Sequence, residues 1–444
     1  MLCFTLATTM TEKFVIHGGE PLSGEITAAG NKNAALPILA ACLLTDEEIL
    51  LQNVPRIRDT EAQIAILERL GVKVEWTAGN ELRLQADAIS ETAPDEDLSA
   101  RIRASFLLAG PLLARFGEAR MPPPGGDFIG RRRLDPHLDA FIDMGARIDG
   151  SRWVEISAPD GGLRPCSVFM DEPSVMGTEN ALMAAALTEG PTTISNAASE
   201  PHVQDLARLL VKMGAKIDGI GSNVMTVHGR DRLGGATHRV CPDHIEVASF
   251  VALAAATGGD LRIRDAEPQD LPMIRRAFGR LGLRLEYDGN DVLVAPGQTL
   301  SVQDDLGDAI PKIEDGPWPA FPADLTSIAL ALATQAKGTI LIFEKMFENR
   351  LFFVDKLVAM GARITLCDPH RAIVSGPSRL HGERVESPDI RAGMAMLIAA
   401  LAADGTSEIG NIVQIDRGYE EIDDRLRQLG ARIDRVAVDR PVPA

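Results

Sequence analysis

The chain carries one short motif six times, and this repetition constrains the fold more than any other feature of the sequence. Each copy reads Leu or Met, then Gly, any residue, Arg or Lys, and an apolar residue. The copies begin at Leu70, Met144, Met213, Leu281, Met360 and Leu429, roughly 70 residues apart, a longer period than in solenoid proteins. Glycine here is typical of the residue that follows a helix, and the alternating apolar residues after it predict a strand.

A second feature lies between these motifs, an alanine-rich segment with the length of a helix. The copies are NAALPILAACLL, ASFLLAGPLLARFG, NALMAAALTEG, ASFVALAAATGG, SIALALATQAKG and GMAMLIAALAADG. Helices that are apolar all round are expected to be buried, whereas the helices predicted at 61–70 and 420–429 are apolar on one side only. We therefore predict an α/β protein of six βαβαββ-type repeats, three in each of two domains. The apolar helices would lie inside each domain, as in an inside-out α/β barrel; a plain three-layer sandwich would not require them.

Charge and cysteine content exclude several classes of protein. The formal net charge is −18, whereas nucleic-acid-binding proteins show a basic face. The five cysteines are widely spaced and form no CxxC motif: Cys3, Cys42, Cys166, Cys241 and Cys367. This pattern predicts a reducing compartment, with no disulfide framework and no zinc site.

The first ten residues form a poor signal peptide because they lack a basic segment and are very short. We expect them to be a disordered tail before a natural start at Met10. The longest apolar run, 34–44, contains a proline and is too short to span a bilayer. We therefore expect a cytoplasmic protein.

Residues 121–137, MPPPGGDFIGRRRLDPH, form a proline- and glycine-rich segment after an apolar helix. Pro122–Pro124 and Gly125-Gly126 predict an exposed loop that is stiff at one end and hinged in the middle. Asp127 and Arg132 place a carboxylate and a guanidinium on this loop, which suits a lid over an anionic substrate. A surface turn with solvated charges is the alternative.

Cations recur at equivalent ends of the repeats: Lys32, Arg103, Arg132, Arg350, Arg391 and Arg417. A helix dipole disfavours a cation at the helix N-terminus, so a bound anion would supply a reason for Arg103. In an acidic protein these cations predict a concentrated site for phosphates or carboxylates. Asp389 and Asp416 stand near Arg391 and Arg417 and could fix these guanidinium groups or simply pair with them. Asp324, at a helix start that two prolines precede, suits a general base, although a helix cap would explain it equally.

Several motifs together resemble those of the bacterial UDP-N-acetylglucosamine enolpyruvyl transferases (1-carboxyvinyltransferases). These motifs are GNKNAALPILAACLL, RIRAS, PPGGDFIGRRRLDPH, FPADL, FENR, DIRA and IDRGYE. The resemblance covers nearly the whole chain from about Glu12, and the wider family shares the inside-out α/β barrel pair. We expect one domain to comprise residues 1–31 plus 243–444. The other would comprise 32–242 and carry the mobile loop 121–133.

The resemblance implies transfer of the enolpyruvyl group of phosphoenolpyruvate to the 3′-hydroxyl of UDP-N-acetylglucosamine, with release of phosphate. This is the first committed step of peptidoglycan synthesis. Protonation of C3 of phosphoenolpyruvate and attack by the hydroxyl require a general acid, a general base and surrounding cations. No metal or organic cofactor is expected, and the expected partners are the two substrates, with no nucleic acid, membrane or obligate protein partner.

The resemblance also implies roles for individual residues. The catalytic residues would be Asp127, Asp324, Lys32 and Arg417. Phosphoenolpyruvate would be held by Lys32, Arg103, Arg132, Arg391 and Arg417. The sugar nucleotide would be held by Asn33 and Asp324, with Asp324 taking the 3′-hydroxyl proton. Its uridine diphosphate part would contact Arg132, Arg133, Leu134, Asp135, Pro136, Ser174 and Val175. Met346, Arg350 and Asp389 would complete the site.

The sequence departs from the family pattern at four positions. Asp127 stands where cysteine is usual, which predicts insensitivity to the epoxide fosfomycin, since fosfomycin alkylates that thiolate. Arg133 stands where proline is usual, Glu172 where some members have lysine, and Met176 where glycine is common. The last two lie near the expected uridine diphosphate pocket and leave the acceptor open.

Two alternatives follow. One is a related enolpyruvyl transferase with another acceptor, such as a nucleotide-antibiotic precursor or shikimate phosphate. The sequence has Gly-Asn-Lys-Asn at residues 30–33 and not the Gly-Ser-Lys-Ser of shikimate-type enzymes. The other is a non-catalytic paralogue that binds sugar nucleotides, against which the retention of Lys32, Asp127 and Asp324 speaks.

Overall fold

The computed structural model describes residues 11–150 and 152–438, so Cys3 and the expected start at Met10 lie outside the described residues. The helices are α1 Lys32–Ala41, α2 Arg58–Leu70, α3 Glu96–Ser99, α4 Ala109–Phe116, α5 Asp135–Asp143, α6 Val175–Ala186, α7 Pro201–Lys212, α8 His244–Thr257, α9 Pro272–Gly279, α10 Thr326–Ala333, α11 Val354–Ala359, α12 Ile390–Ala402 and α13 Ile422–Gln428. Short 3₁₀ turns occur at Cys42–Leu44, Arg103–Leu108, Pro268–Asp270, Ala323–Leu325 and Ile412–Gln414. No helix within the described ranges is long and apolar enough to cross a membrane.

The strands are short. They are β1 Thr11–His17, β2 Ser23–Thr27, β3 Ile49–Gln52, β4 Lys73–Ala78, β5 Glu81–Gln85, β6 Glu118–Met121, β7 Arg147–Asp149, β8 Val154–Ser157, β9 Ser167–Phe169, β10 Gly190–Ser195, β11 Lys216–Asp218, β12 Val224–Gly229, β13 Ala236–Arg239, β14 Asp260–Arg264, β15 Glu286–Asp288, β16 Asp291–Val294, β17 Lys312–Glu314, β18 Gly338–Phe343, β19 Ile364–Asp368, β20 Arg371–Gly376, β21 Arg384–Glu386, β22 Thr406–Gly410 and β23 Arg432–Val438.

The repeated glycine motif ends a helix in every copy, as predicted. Its six glycines all have φ between +86° and +115°, a region in which glycine carries no steric penalty. They follow the one-sided helices α2, α5, α7, α9, α11 and α13. A strand begins a few residues later in each case, so the motif marks the outer half of each repeat.

The described strands form six sheets, one for each repeat, and this confirms the predicted repeat architecture. The order β11-β12-β10-β9 shows the pattern: β9 runs parallel to β10, and β12 pairs antiparallel with both β10 and β11. Helix α6 connects the parallel pair, and α7 leads to the hairpin. Five sheets have four described strands, and the sheet β6-β8-β7 has three.

The alanine-rich helices lie inside, because their apolar residues cover every side. In α8 all residues from His244 to Ala255 are buried, and in α12 all from Ile390 to Leu401. Two hydrophobic cores result. One contains Ala34–Cys241, and the other combines Phe14–Ala28 with Ile245–Ile433. We propose that these cores are the two domains, divided at 31/32 and 242/243.

The chain passes between the cores twice at one place. Strand β2 pairs in parallel with β14 of its own core but is followed by α1 of the other core. Likewise, β13 pairs in parallel with β3 and is followed by α8 of the other core. The two passing segments are joined by hydrogen bonds from Asn31 N to Cys241 O and from Asp243 N to Ala29 O, both 2.8 Å. As a result, the starts of α1 and α8 meet at the junction between the cores.

Candidate active site

A central cleft lies between the two cores, and most of the predicted site residues line it. These are Lys32, Asn33, Arg103, Asp127, Arg132, Val175, Asp324, Met346, Arg350, Arg391 and Arg417. Residues that the sequence did not single out line it as well: Asp59, Glu179, Glu200, His202, His244 and Trp318. Glu179, Glu200 and the two histidines lie in or just before the first turns of α6, α7 and α8, where polar residues are common and carry no signal of a binding site.

Other predicted residues lie outside the cleft lining. The Arg133 guanidinium donates to Asp171 at 2.6 Å and to Asp135 at 3.3 Å. Leu134 and Pro136 begin α5 beside them. Ser174 and Asp389 cap helices: Ser174 Oγ accepts from Gly177 N, and the Asp389 carboxylate accepts from the N–H groups of Arg391 and Ala392.

Lys32 is buried at the first residue of α1. The Asn31 side chain caps this helix by accepting from Asn33 N at 2.9 Å and Ala34 N at 3.2 Å. The Lys32 ammonium lies 2.8 Å from the carboxylate of Asp59, at the start of α2. Burial raises the pKa of Asp59, but the charges of Lys32 and Arg417 outweigh it and leave the pKa below its usual value.

Arg417 connects the two cores. Its guanidinium donates to Asp59 from Nε at 2.8 Å, to Gln414 Oε1 at 2.9 Å, and to Asp127 on the loop. The neighbouring Asp416 takes no part, because it pairs instead with Arg435. The possibility that sequence neighbours fix the cations was therefore wrong for Arg417, whose carboxylate partners come from distant segments.

Asp324 lies in the 3₁₀ turn after Pro322 and is held between two buried guanidinium groups. Arg350 Nη2 lies 2.9 Å from Asp324 Oδ1, and Arg391 Nη2 lies 3.1 Å from Asp324 Oδ2. Burial raises the pKa of Asp324, but Arg391, Arg350 and Lys32 outweigh it, so the pKa lies far below its ordinary value. Asp324 is therefore ionised at any working pH.

The buried carboxyl group of Glu344 holds the turn that precedes Arg350. Glu344 Oε1 accepts from Met346 N and Phe347 N, which fixes the turn before Arg350. Burial raises the pKa of Glu344 to about 8; Arg350 lowers it, and Asp315 adds to the rise. Glu344 has no local sequence signal, since only the packing of the turn brings it to Arg350.

The loop after β6 reaches across the cleft and contacts the opposite core. Asn349 N donates to Ile129 O at 3.0 Å, and Arg131 N donates to Glu348 Oε2 at 3.1 Å. These contacts join the loop to the opposite core. At Gly125 a Cβ would lie 1.8 Å from Ala100 O, so close approach of the backbone requires glycine there.

Arg103 holds the same loop from its own core. Its Nη2 donates to the carbonyl oxygens of Arg132 at 2.6 Å and Arg133 at 3.3 Å. The loop backbone thus supplies a partner for the cation that the sequence left unexplained. Burial, and then the nearby charge of Arg132, lowers the pKa of Arg103 to about 10. The nearby positive charges of Arg103 and Arg132 repel each other, and this arrangement favours binding of an anion between them.

The arrangement can bind anions and move protons. Cations from both cores face one cleft, with one carboxylate on the closing loop and another fixed between two arginines. Within the described ranges, no group of three or more His, Cys, Asp or Glu side chains is placed to hold a metal ion.

Comparison with known proteins relates the chain to carboxyvinyltransferases. The family model described as EPSP synthase (3-phosphoshikimate 1-carboxyvinyltransferase) matches residues 16–426. A UDP-N-acetylglucosamine 1-carboxyvinyltransferase of Bradyrhizobium diazoefficiens is 58% identical over 424 residues, covering 96% of this chain and 98% of that protein. Another from Treponema denticola is 53% identical, covering 95% and 99%.

Solved structures have the same fold. The enolpyruvyl transferase NikO from Streptomyces tendae superposes with a TM-score of 0.86 at 25% identity, covering 97% of this chain and all of that one. An EPSP synthase from Acinetobacter baumannii gives a TM-score of 0.74 at 18% identity, covering 96% and 100%.

Proposed function

The chain belongs to the UDP-N-acetylglucosamine 1-carboxyvinyltransferase family, and from this we propose the reaction of its cleft. The enzyme transfers the enolpyruvyl group of phosphoenolpyruvate to the 3′-hydroxyl of UDP-N-acetylglucosamine and releases phosphate, the first committed step of peptidoglycan synthesis. The observation that carries this proposal is Asp324, a half-buried ionised carboxylate fixed by the buried Arg350 and Arg391 among cations of both cores.

The cations suit phosphoenolpyruvate, which carries a phosphate and a carboxylate. We assign its binding to the cations that line the cleft: Lys32, Arg103, Arg132, Arg391 and Arg417. Arginine forks bind such groups with two parallel hydrogen bonds. Burial lowers the pKa of both Arg103 and Arg132, which indicates a shortage of compensating charge that an anionic substrate would relieve.

The proton transfers need one acid and one base. Asp127, once protonated, donates to C3 of phosphoenolpyruvate, and positive charge develops at C2. The acceptor oxygen forms a bond to C2 while Asp324 takes its proton. The Asp127 carboxylate then takes a proton back from C3, the bond from C2 to the phosphate oxygen breaks, and the double bond between C2 and C3 is restored. Asp127 is paired with Arg417 in the structure, so arriving phosphate would compete for Arg417 and free the carboxyl to take a proton.

The acceptor would lie along the starts of α1, α5 and α6. Asn33 and Asp324 suit the sugar, while Val175 and Met346 line the cleft toward the proposed nucleotide end. The backbone of Arg132–Pro136 and Ser174 suits the diphosphate. Arg133 is already paired with Asp171, so its side chain would contact a diphosphate only after leaving that partner. Asp389 supports the site by capping the helix that carries Arg391.

Phosphate release tests the proposal. The full chain should release phosphate from phosphoenolpyruvate with UDP-N-acetylglucosamine, and not with shikimate 3-phosphate or without an acceptor. Release with shikimate 3-phosphate alone would favour the related transferase with another acceptor. Binding of UDP-N-acetylglucosamine without any release would favour a non-catalytic paralogue. A cytoplasmic location is part of the proposal and is supported by the free thiols of Cys42, Cys166, Cys241 and Cys367.

A further inference from the structure

One wall of the cleft carries polar groups that the proposed reaction does not use. Glu179 lies on α6, Glu200 precedes α7, His202 lies in the first turn of α7, and His244 begins α8. All four line the cleft, together with Trp318. Glu200 Oε1 accepts from Trp318 N at 3.4 Å. We call this set, without Trp318, the acceptor-rich wall.

Several atoms of this wall have no hydrogen-bond partner among the described residues. They are Glu179 Oε1, Glu200 Oε2 and His202 Nδ1, and the residues Glu179 and His202 are 1% and 6% exposed. A buried carboxyl oxygen without a donor is costly. Proteins tolerate this free-energy cost at a binding site, because the bound ligand supplies the missing hydrogen-bond donors.

The histidines of the wall are neutral. Their rings stack at 6.2 Å with an interplanar angle of 9°. Burial lowers the pKa of His202 to about 4 and that of His244 to about 3. The Asn31 Oδ1 atom caps α1, so its Nδ2 donates to His244 Nδ1 at 3.2 Å, and neutral His244 carries its proton on Nε2.

The carboxyl groups of the wall are held toward their neutral form. Burial raises the pKa of both Glu179 and Glu200, and the nearness of Glu200 raises that of Glu179 further. Because its histidines are neutral, the wall contains no cation, and its unpartnered oxygen and nitrogen atoms can accept hydrogen bonds. Phosphate and carboxylate groups belong on the side of the arginines, whereas a group that donates hydrogen bonds without charge fits the wall.

The position of the wall identifies that group. Glu179 lies four residues after Val175, on the same face of α6, and the charge of Asp324 acts on both His202 and His244. The wall thus lies between the proposed nucleotide end of the cleft and the proposed base. We propose that Glu179, Glu200 and His202 bind the uncharged hydrogen-bond donors of the acceptor sugar, its hydroxyl and acetamido N–H groups, and so select the acceptor. This assignment rests on the proposed function.

Calorimetric binding to the full chain tests the assignment with two ligands, UDP-N-acetylglucosamine and UDP alone. Glu179→Gln keeps the shape of the side chain but replaces one of its acceptor oxygens with an amide nitrogen, which only donates hydrogen bonds. We expect it to weaken binding of UDP-N-acetylglucosamine roughly tenfold or more and to change binding of UDP less than about threefold. Glu189→Gln, at an exposed position after the same helix, is the matched control and should change neither.

Thermal unfolding separates this role from a structural one. Removing an unpartnered buried carboxyl oxygen should leave the Tm of Glu179→Gln unchanged or raise it, whereas a structural role predicts a lower Tm. Equal weakening of both ligands, or none, would overturn the proposal. Glu200→Gln and His202→Gln repeat the comparison if Glu179→Gln fails to fold. If the wild-type protein binds the sugar nucleotide but releases no phosphate, the proposed enolpyruvyl transfer is refuted. The comparison of UDP-N-acetylglucosamine binding with UDP binding remains valid in that case.

Discussion

The guanidinium of Arg417 donates to the carboxylate of Asp127, and this contact joins the closing loop to the opposite core. The same guanidinium is held by Asp59, which in turn pairs with Lys32 at 2.8 Å. The line Lys32–Asp59–Arg417–Asp127 is largely buried, with side-chain exposures of 10%, 6%, 14% and 17%. The loop carboxylate of Asp127 is therefore paired with the guanidinium that an incoming phosphate would need to bind.

Asp127→Asn should strengthen binding of inorganic phosphate. The amide removes the internal competitor for Arg417, and a partly buried ion pair of this kind corresponds to roughly a threefold to tenfold change in Kd. Calorimetry with phosphate alone measures it, with the exposed Asp139→Asn as control. Turnover should fall in the same variant because the proposed acid is lost. Weaker phosphate binding would show that Asp127 does not compete with the ligand.

The native protein should resist time-dependent inactivation by fosfomycin. A carboxylate is a much weaker nucleophile toward an epoxide than a thiolate, and Asp127 stands at the loop position where the family usually has cysteine. Asp127→Cys should become sensitive and keep activity, since a thiol can also donate a proton. Inactivation of the native protein, with Asp127→Cys no more sensitive, would remove Asp127 from this position.

Asp324→Asn should lower kcat by at least ~10²-fold and leave the fold intact. The amide retains the shape but cannot take the 3′-hydroxyl proton, and it leaves the charges of Arg350 and Arg391 without their shared partner. Steady-state phosphate release measures the loss, circular dichroism checks the fold, and Asp304→Asn on an exposed loop is the control. Turnover close to that of the native enzyme would exclude Asp324 as the base.

Gly130→Ala should prevent full closure of the loop. Gly130 has a φ of +141°, and a Cβ there would lie 2.2 Å from Glu348 Oε2, which accepts from Arg131 N. We expect lower kcat/KM and faster proteolysis within 122–133, with less protection by UDP-N-acetylglucosamine. Gly79→Ala, where a Cβ meets nothing within 4 Å, is the control. Unchanged cleavage and protection would mean that this contact does not hold the loop closed.

Glu344→Gln should alter the pH dependence of stability. The folded protein keeps the Glu344 proton up to a pKa of about 8, whereas the unfolded chain releases it near ~4.3. The folded state therefore binds more protons between these values, and the stability contributed by Glu344 decreases as pH rises through this window. Glutamine does not titrate, so the Tm of the variant minus the Tm of the native protein should increase as the pH rises from 5 to 8. A constant difference would contradict the shift; the exposed Glu286→Gln serves as control.

Local sequence patterns were sufficient to predict the repeat architecture. The six glycines follow helices because only a positive φ allows that turn, and the alanine-rich helices are buried because they have no polar side. Lys32 and Asp324 could be singled out because each stands at a helix start, where its position depends on a few neighbouring residues. These features come from interactions within one turn or one strand, so the sequence contains them directly.

The partners of the charged side chains were decided only by the tertiary structure. Arg417 is paired with Asp59 and Asp127 and not with Asp416, and Asp324 is paired with Arg350 and Arg391. Glu179 and Glu200 reach the cleft because α6 and α7 pack toward it, and nothing in the sequence around them distinguishes them from helix-end residues. A charged side chain meets its partner wherever packing of the two cores brings the segments together. The distance between two charged groups in space is unrelated to their separation along the chain. The sequence alone therefore determined the repeat architecture, and the tertiary structure determined the electrostatics of the site.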